Sequence, residues 1–239
     1  MPASVGRVVS LVPSLTESVA ATAPGLLVGA TDWCSHPADL EVTRVKGTKS
    51  PDIAAVLGLR PDLVLANAEE NRVEDLDALG AAGLAVWVTF PRTVPEALVS
   101  LDRMLSACGL ARPGWLDEAD AAWAAPWSGP RRRAVIPIWR RPWMAVGSGT
   151  FTGDVLARLG IDNVLAGHDE RYPKVELAGL PPYDLVVLPD EPYAFSATDG
   201  PESFSAPSAC VSGRHLTWYG PSLAEARDVL VAQLTSAGT

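Results

Sequence analysis

The sequence has no excess of positive charge and no long hydrophobic run. Its 239 residues include 28 Asp and Glu against 19 Lys and Arg, which gives a net charge of −9. Nucleic-acid binding depends on a basic surface, so this class of partner is excluded. A membrane-spanning helix needs about 20 consecutive apolar residues, and no stretch approaches that length. The protein is therefore expected neither to bind nucleic acid nor to insert into a membrane.

Cysteine is scarce, and the beginning of the chain lacks an apolar segment. The three cysteines, Cys34, Cys108 and Cys210, are scattered and odd in number, which argues against a disulfide framework. The opening residues MPASVGRVVSLVPS enter a strand-like run without the apolar region of a signal peptide. These two absences predict a reduced protein that is located in the cytoplasm.

Short apolar runs alternate with helical patterns, which is typical of an α/β fold with parallel strands. Strands are predicted at 7–12, 26–30, 62–67, 84–90, 132–139, 161–166, 181–192 and 209–213. One helix is predicted to begin at a capping box, Ser14 to Glu17, and another at Ser50 as N-cap with Pro51 in the first turn. Further helices are predicted at about 71–83, 94–108, 152–159 and 222–234.

The second half of the chain repeats the plan of the first. Asp62 and Asp184 begin similar Asp-Leu-Val runs, and Arg7 and Arg133 stand before the first strand of each half. Because both pairs are separated by a similar number of residues, the two halves are expected to have similar folds.

Two lobes follow from this repeat. We predict an α/β lobe at 1–111, a single bridging helix within 112–127, and a second α/β lobe at 128–239, each lobe with a parallel sheet flanked by helices. Open α/β sheets bind ligands beyond the carboxyl ends of their strands. The eight loops that follow the strands are therefore expected to line a ligand cleft between the lobes.

Several segments match a known family. RVVSLVPSLTE, VGATDWCSHP, RPDLVLANAEEN, LPDEPYAF and LTWYG occur in this order. They resemble the helical-backbone (class III) periplasmic binding proteins. The branch that is most similar contains the vitamin B12 (cobalamin) receptors of ABC importers and their leaderless members, called helical backbone metal receptors. The resemblance covers nearly the whole chain and implies two bridged α/β lobes that hold a ligand without catalysis.

The resemblance also implies an aromatic ligand site. Receptors of this family stack aromatic rings around the corrin, and Trp33 and Trp218 fall at the positions of such rings. The post-strand loops themselves suggest further contacts, since aromatic, Arg, Glu and Asn side chains are concentrated there, and Arg is suited to binding anionic groups. These further candidates are Glu70, Asn71, Arg92, Trp139, Arg140, Trp143, Tyr172 and Tyr219.

The segment TDWCSHP leaves three interpretations of Cys34 and His36, beside the alternative that a single His is an axial ligand to a cobalt or haem iron. As metal ligands they supply two groups, whereas a closed zinc site needs four. As nucleophile and base they lack an orienting third group. As structural residues they shape the loop that presents Trp33. We favour the third interpretation, which predicts no metal ligands and no catalytic residues.

We therefore predict a non-catalytic small-molecule binding protein, with Trp33 and Trp218 both outside the core. No cofactor is required, and the bound ligand is expected to be a corrinoid or haem-like molecule. An ABC transporter or a biosynthetic enzyme is the expected protein partner. The alternatives are an enzyme, or an enzyme's accessory subunit, that uses the same cleft, and a structural partner protein with a vestigial cleft.

Overall fold

The computed structural model describes residues 4–236, which form two compact α/β units. The first unit comprises the described residues up to Pro91, the segment Pro95–Asp117 and the short stretch Tyr219–Pro221. The second comprises Arg92–Val94, Glu118–Trp218 and the described residues from Ser222 onward. No helix within 4–236 has the length and hydropathy needed to cross a membrane.

The first unit is built on a five-stranded parallel sheet. Its strands are β1 (Val8–Ser10), β2 (Leu27–Ala30), β3 (Thr43–Arg44), β6 (Leu63–Asn67) and β7 (Val86–Thr89), in the order β3-β2-β1-β6-β7. A two-stranded antiparallel hairpin, β4 (Lys46–Gly47) and β5 (Ser50–Pro51), follows β3. β6 is buried along its whole length, as expected for a central strand that is covered on both faces.

Helices cover this sheet. They are α1 (Pro13–Thr22), α2 (Ile53–Gly58), α3 (Val73–Ala81) and α4 (Val94–Ala107). Gly83 and Gly109 lie just beyond α3 and α4 with φ of +87° and +77°, a left-handed conformation that glycine adopts without strain. The buried core on one face of the sheet includes Val9, Leu11, Val64 and Leu79.

The second unit has a four-stranded parallel sheet. Its strands are β8 (Arg132–Val135), β11 (Ile161–Asn163), β12 (Leu185–Pro189) and β13 (Ser208–Val211), in the order β11-β8-β12-β13. The predicted strand 132–139 is interrupted: β9 (Pro137–Trp139) leaves the sheet and pairs antiparallel with β10 (Met144–Ala145). Pro137 has no N–H to donate to a parallel neighbour, which accounts for the break.

The helices of the second half are α6 (Phe151–Ala157), α7 (Gly213–Thr217) and α8 (Leu223–Ser236). α5 (Gly114–Ala124) contains the division between the units, which falls after Asp117. The predicted domain boundaries, with a bridging helix in 112–127 and a cleft between the lobes, stay predictions.

The two sheets share one strand order, which confirms the predicted repeat of an α/β plan. The four strands β2-β1-β6-β7 of the first sheet correspond to β11-β8-β12-β13 of the second. The equivalent residues also make equivalent contacts, since Asp62 N–H donates to Arg7 O and Asp184 N–H donates to Arg133 O, both at 2.8 Å. The carboxylate of each Asp accepts a hydrogen bond from the backbone N–H of the same arginine.

Two predicted helix starts are wrong. Ser14 does not cap α1, because Val12 is the N-cap and Pro13 occupies the first turn, so Ser14 lies buried inside the helix. Ser50 does not cap α2, because Ser50 and Pro51 belong to β5. The N-cap is Asp52, whose carboxylate accepts a hydrogen bond from Ala55 N–H at 3.0 Å. The capping-box spacing of Ser14 and Glu17 suggested the first cap, and Pro51 after Ser50 suggested the second.

Candidate functional site

The topology of each sheet marks where a ligand is expected. Ligands of open α/β sheets bind beyond the carboxyl ends of the strands, near the point where the strand order reverses. In the first unit β1 pairs with β2 on one side and β6 on the other, so that point lies between β1 and β6. In the second unit it lies between β8 and β12 by the same argument. The residues that follow these strands are described below, one unit at a time.

Trp33 is the most exposed large side chain at the strand ends of the first unit. It follows β2, and 67% of its surface is accessible to solvent. The indole lies against the β4–β5 hairpin, because a Cβ atom built on Gly47 would stand 3.4 Å from Trp33 Nε1. Asp32 N–H donates to Lys46 O at 2.8 Å and joins the loop to the same hairpin. The hairpin therefore supports one side of a ring whose remaining surface is open.

Cys34 fixes the Trp33 loop to the interior of the first unit. Its side chain is fully buried, with Sγ 3.0 Å from Thr16 Oγ1 and 3.2 Å from Thr31 Oγ1. Burial raises the pKa of the Cys34 thiol, and a thiol that stays protonated is a poor nucleophile and a poor metal ligand. The Arg44 guanidinium adds a second brace by donating to Thr31 O at 3.0 Å and Cys34 O at 2.9 Å. The geometry supports the structural interpretation of Cys34.

His36 is half-buried in the same loop, and its Nδ1 lies 3.2 Å from Ser35 Oγ. Among the described residues, no group of three or more His, Cys, Asp or Glu side chains is placed to hold a metal ion. Free thiols occur at Cys34, Cys108 and Cys210.

Asn67, which the sequence reasoning missed, organises the loop after β6. Its Oδ1 accepts hydrogen bonds from Glu69 N–H at 2.7 Å and Glu70 N–H at 3.2 Å. Its Nδ2 donates to Tyr219 Oη at 2.6 Å, and Tyr219 Oη lies 2.9 Å from Thr89 Oγ1. A polar residue that ends a continuous apolar strand is the signal that could have identified it.

Three predicted ligand contacts meet in this network. Asn71 is buried; its Oδ1 accepts from Asn67 N–H at 2.9 Å, and its Nδ2 donates to Leu11 O and Thr48 O. Tyr219 is also buried, and burial is the main cause that raises the pKa of its phenol. Glu70 is only half-buried. Asn71 and Tyr219 thus act as supports, and Glu70 is the member of the group whose side chain reaches the surface.

In the second unit an aromatic cluster surrounds the β9–β10 hairpin. Trp143 stacks on Phe195 with centroids 6.0 Å apart and planes 2° apart, and contacts Phe204 edge-on at 5.3 Å. Trp139 contacts Tyr193 edge-on at 5.7 Å and remains 43% exposed. Trp143 is therefore part of the packing of this unit, whereas Trp139 keeps an accessible ring.

Arg140 is already paired with acidic groups of its own chain. Its guanidinium forms ion pairs with Asp199 and with Glu202, the latter at 2.5 Å, and lies 5.4 Å from the centroid of the Trp143 ring. Tyr193 Oη donates to Asp199 at 2.7 Å. The geometry favours a role in holding the 199–202 loop over a role as the anion partner of a ligand.

The remaining predicted contacts differ in exposure. Arg92 is exposed and Tyr172 is half-buried. The prediction that Trp218 lies outside the core is wrong, since only 8% of its surface is exposed. Its Nε1 donates to Glu191 Oε2 at 2.9 Å. The reason is that α7 stands between β13 and Trp218, so the ring does not follow the strand directly.

Comparisons with known proteins agree on the fold. A curated vitamin B12-binding protein of Vibrio cholerae is 23% identical over 182 residues, which cover 72% of this chain and 65% of the relative, just under two thirds of its length. The crystal structure of the periplasmic vitamin B12 binding protein BtuF of V. cholerae has a TM-score of 0.75 at 19% identity and covers 98% of both chains. No protein-family model matches the chain.

A heme-binding protein has the same fold. The periplasmic heme-binding protein RhuT from Roseiflexus sp. RS-1, in apo form, has a TM-score of 0.74 at 17% identity, and covers 98% of this chain and all of its own. The chain therefore has the two-domain α/β fold of the helical-backbone, class III, periplasmic binding proteins, and the resemblance drawn from the sequence is confirmed. These similar proteins are binding proteins and not enzymes.

One prediction is contradicted by these comparisons. The cytoplasmic location is wrong, because both solved structures described above are periplasmic proteins. The prediction depended on the absence of an apolar segment in the first residues and on scattered cysteines, neither of which bears on the fold.

Proposed function

We propose that this protein is a non-catalytic receptor for a large, flat metal chelate of the corrinoid or heme class, and that it presents its ligand to an ABC transporter. Trp33 carries the proposal: it is a large apolar ring that is two-thirds exposed and held by a braced loop at the carboxyl end of a parallel strand. A loop that fixes an exposed indole indicates that the open face of the ring contacts a ligand.

The chemistry of the surrounding side chains supports a flat, amphipathic ligand. In the first unit Trp33 offers an accessible ring, which gives large contact area with few rotatable bonds. Glu70 of the same unit lies at the surface and offers a negative charge for orienting a polar group at a ligand's edge. Vitamin B12 and heme, the ligands named for the similar proteins, are both flat metal chelates with polar edges.

The alternative, an enzyme that uses the same surface, has less support. The thiol of Cys34 is buried and has a raised pKa, so it is unsuited to nucleophilic attack. None of the similar proteins named above is an enzyme. A receptor needs only the aromatic surface and the braced loop, both of which are present.

The direct test is titration of the full chain with cyanocobalamin and, separately, with hemin, followed by tryptophan fluorescence and by calorimetry. By analogy with base–aromatic stacking, loss of one stacking ring costs about 1–3 kcal/mol, so Trp33→Ala should weaken binding about tenfold to a hundredfold. Trp33→Phe keeps a flat ring and should retain most of the affinity. Cys34→Ser should change affinity little, because its side chain stays below the loop.

Val73→Ala is the matched control, since Val73 is a similarly exposed apolar side chain on the first unit, at the start of α3. It should bind as the unaltered protein does. Saturable binding of neither chelate, or equal affinity of Trp33→Ala and the unaltered protein, would refute the proposal. Chemical conversion of either molecule during the titration would favour the enzyme alternative.

A further inference from the structure

The outer edge of the first sheet is unusually apolar. β7 is the last strand in the order β3-β2-β1-β6-β7, so one side of its backbone has no strand neighbour in that sheet. Its sequence Val86–Trp87–Val88–Thr89 contains no charged residue and no proline. Val88 and the following Phe90 are 48% and 46% exposed. An edge strand of this kind invites pairing with another strand unless the protein blocks it.

Of the other edge strands, β3 and β11 are protected, whereas β13 has four uncharged residues as β7 does, but its apolar side chains Ala209 and Val211 are buried. β3 has only two residues and carries Arg44, whose guanidinium crosses to neighbouring carbonyl groups. β11 carries Asp162, which is held by Arg131 at 2.5 Å. Short length and charge are the usual devices that prevent edge pairing, and β7 has neither.

Two grooves flank β7, and the larger is mainly apolar. The larger, of about 590 Å³, lies between β7 and α4, and Trp87, Val88, Phe90 and Val99 contribute to its lining. The smaller, of about 500 Å³, lies between β7 and α3 and is lined in part by Leu76, Leu84, Val86 and Val88. Val99 on α4 is 51% exposed, so the apolar surface continues from the strand onto the helix.

The charges on α4 indicate what covers this surface. Glu96 and Arg103 are exposed, line the larger groove and stand seven residues apart, with Val99 and Ser100 midway between them. Seven residues are about two helical turns, or about 10.5 Å, so both side chains share one face of the helix. A twofold axis at Val99 would bring Glu96 of one chain to Arg103 of a second chain, and the reverse pair would form at the same time.

We propose that the β7 edge is the contact surface of a homodimer. The β7 strands of two copies pair antiparallel, the α4 helices pack side by side about a twofold axis at Val99, and two Glu96–Arg103 ion pairs close the ends. The symmetric placement of opposite charges argues for a second copy of this chain over an unrelated peptide, which would not need that symmetry. The surface is small, so the dimer belongs to the weak class of specific interfaces.

Sedimentation velocity of the full chain tests the dimer, over a concentration range up to about 500 µM, which detects dissociation constants well above the micromolar range. The unaltered protein should show a reversible rise in sedimentation coefficient with concentration. Val99→Asp should raise the dissociation constant at least tenfold. Val73→Asp places the same charge on a valine that is even more exposed, at 65% against 51%, and lies outside both grooves, so it should leave the dimer intact.

Charge reversal tests the pairing itself. Glu96→Arg and Arg103→Glu should each weaken self-association, because each places like charges opposite one another. An equimolar mixture of the two variants should associate, since every pair across the interface is then opposite in charge. Circular dichroism and thermal unfolding of each variant establish that the fold is retained.

The proposal is overturned by a monomer at every concentration, by equal effects of Val99→Asp and Val73→Asp, or by a mixture of the charge-reversed variants that stays monomeric. Capture of a foreign strand by a monomeric chain would identify the edge as a peptide site and would equally overturn the homodimer.

Discussion

The hydrogen bonds of Tyr219 allow a quantitative prediction about the support of the Glu70 loop. Tyr219→Phe removes only the hydroxyl, which accepts from Asn67 Nδ2 at 2.6 Å and contacts Thr89 Oγ1 at 2.9 Å. Thr89 keeps its hydrogen bond to Ala66 O at 3.1 Å, whereas Asn67 Nδ2 is left with Thr89 Oγ1 at 3.5 Å. A buried donor without a good partner costs about 1–3 kcal/mol.

We therefore expect Tyr219→Phe to lower the free energy of unfolding by about 2 kcal/mol, which for a chain of this size lowers the melting temperature by about 4–8 °C. Tyr183→Phe is the control, because the half-buried Tyr183 ring packs edge-on against Phe204 and keeps that contact without its hydroxyl. It should shift the melting temperature by less than about a quarter as much, as substitutions away from buried networks do.

A double-mutant cycle isolates the cause. Most of the cost of Tyr219→Phe comes from the amide of Asn67, so in an Asn67→Ala background the same change should cost about 1–2 kcal/mol less. Differential scanning calorimetry of the four proteins gives all the required values. An equal cost of Tyr219→Phe in both backgrounds would refute the reasoning.

The pKa of Tyr219 adds a pH test. Burial raises the pKa of this phenol above its ordinary value of 10.0, so the folded state favours the neutral form. The contribution of the neutral Tyr219 phenol to the free energy of unfolding is fully present below that ordinary value. It is lost as the pH rises toward the folded pKa. The unaltered protein should lose stability above about pH 10 more steeply than Tyr219→Phe.

Two further predictions concern ionisable groups elsewhere. A disulfide reagent should label the exposed Cys210 alone, because the thiols of Cys34 and Cys108 are buried and out of its reach. Rapid labelling of Cys210→Ser would contradict this. The Arg131 guanidinium lowers the pKa of Asp162 below its ordinary 3.8. The stability that the Arg131–Asp162 ion pair contributes is therefore present above that value and is lost as the pH falls through the lower folded pKa. Asp162→Asn should therefore melt below the unaltered protein at pH 7, and the difference should shrink below about pH 3.8.

The positions of the central strands could be predicted from the sequence, because β6 and β12 are continuous apolar runs bounded by polar residues. The network behind Glu70 could not. Asn67 and Tyr219 are 152 residues apart in the chain, and only the folded first unit brings them together. A motif at one strand end shows which residues are near the surface, but it does not show which distant side chain fills the space beneath them.

Trp33 and Trp218 show the same limit at the site. Both were placed at strand ends on equal grounds, yet Trp33 follows β2 within three residues and is exposed, whereas α7 intervenes before Trp218. A five-residue helix has too few positions to show a periodic pattern, so α7 could not be recognised from its residues alone. Exposure at a strand end thus depends on whether the chain turns back into the domain before the residue in question.

Trp218→Ala should consequently act on folding more than on surface chemistry. Truncating a buried tryptophan costs about 3–5 kcal/mol, and here it also leaves the Glu191 carboxylate without the indole donor at 2.9 Å. Trp33→Ala removes a ring that is two-thirds exposed and should change the free energy of unfolding by less than about 0.5 kcal/mol. Thermal unfolding of the two variants side by side, without ligand, measures both. A Trp218→Ala protein as stable as Trp33→Ala would mean that the burial of Trp218 contributes nothing to folding, and its ring would then have to be regarded as a surface group like Trp33.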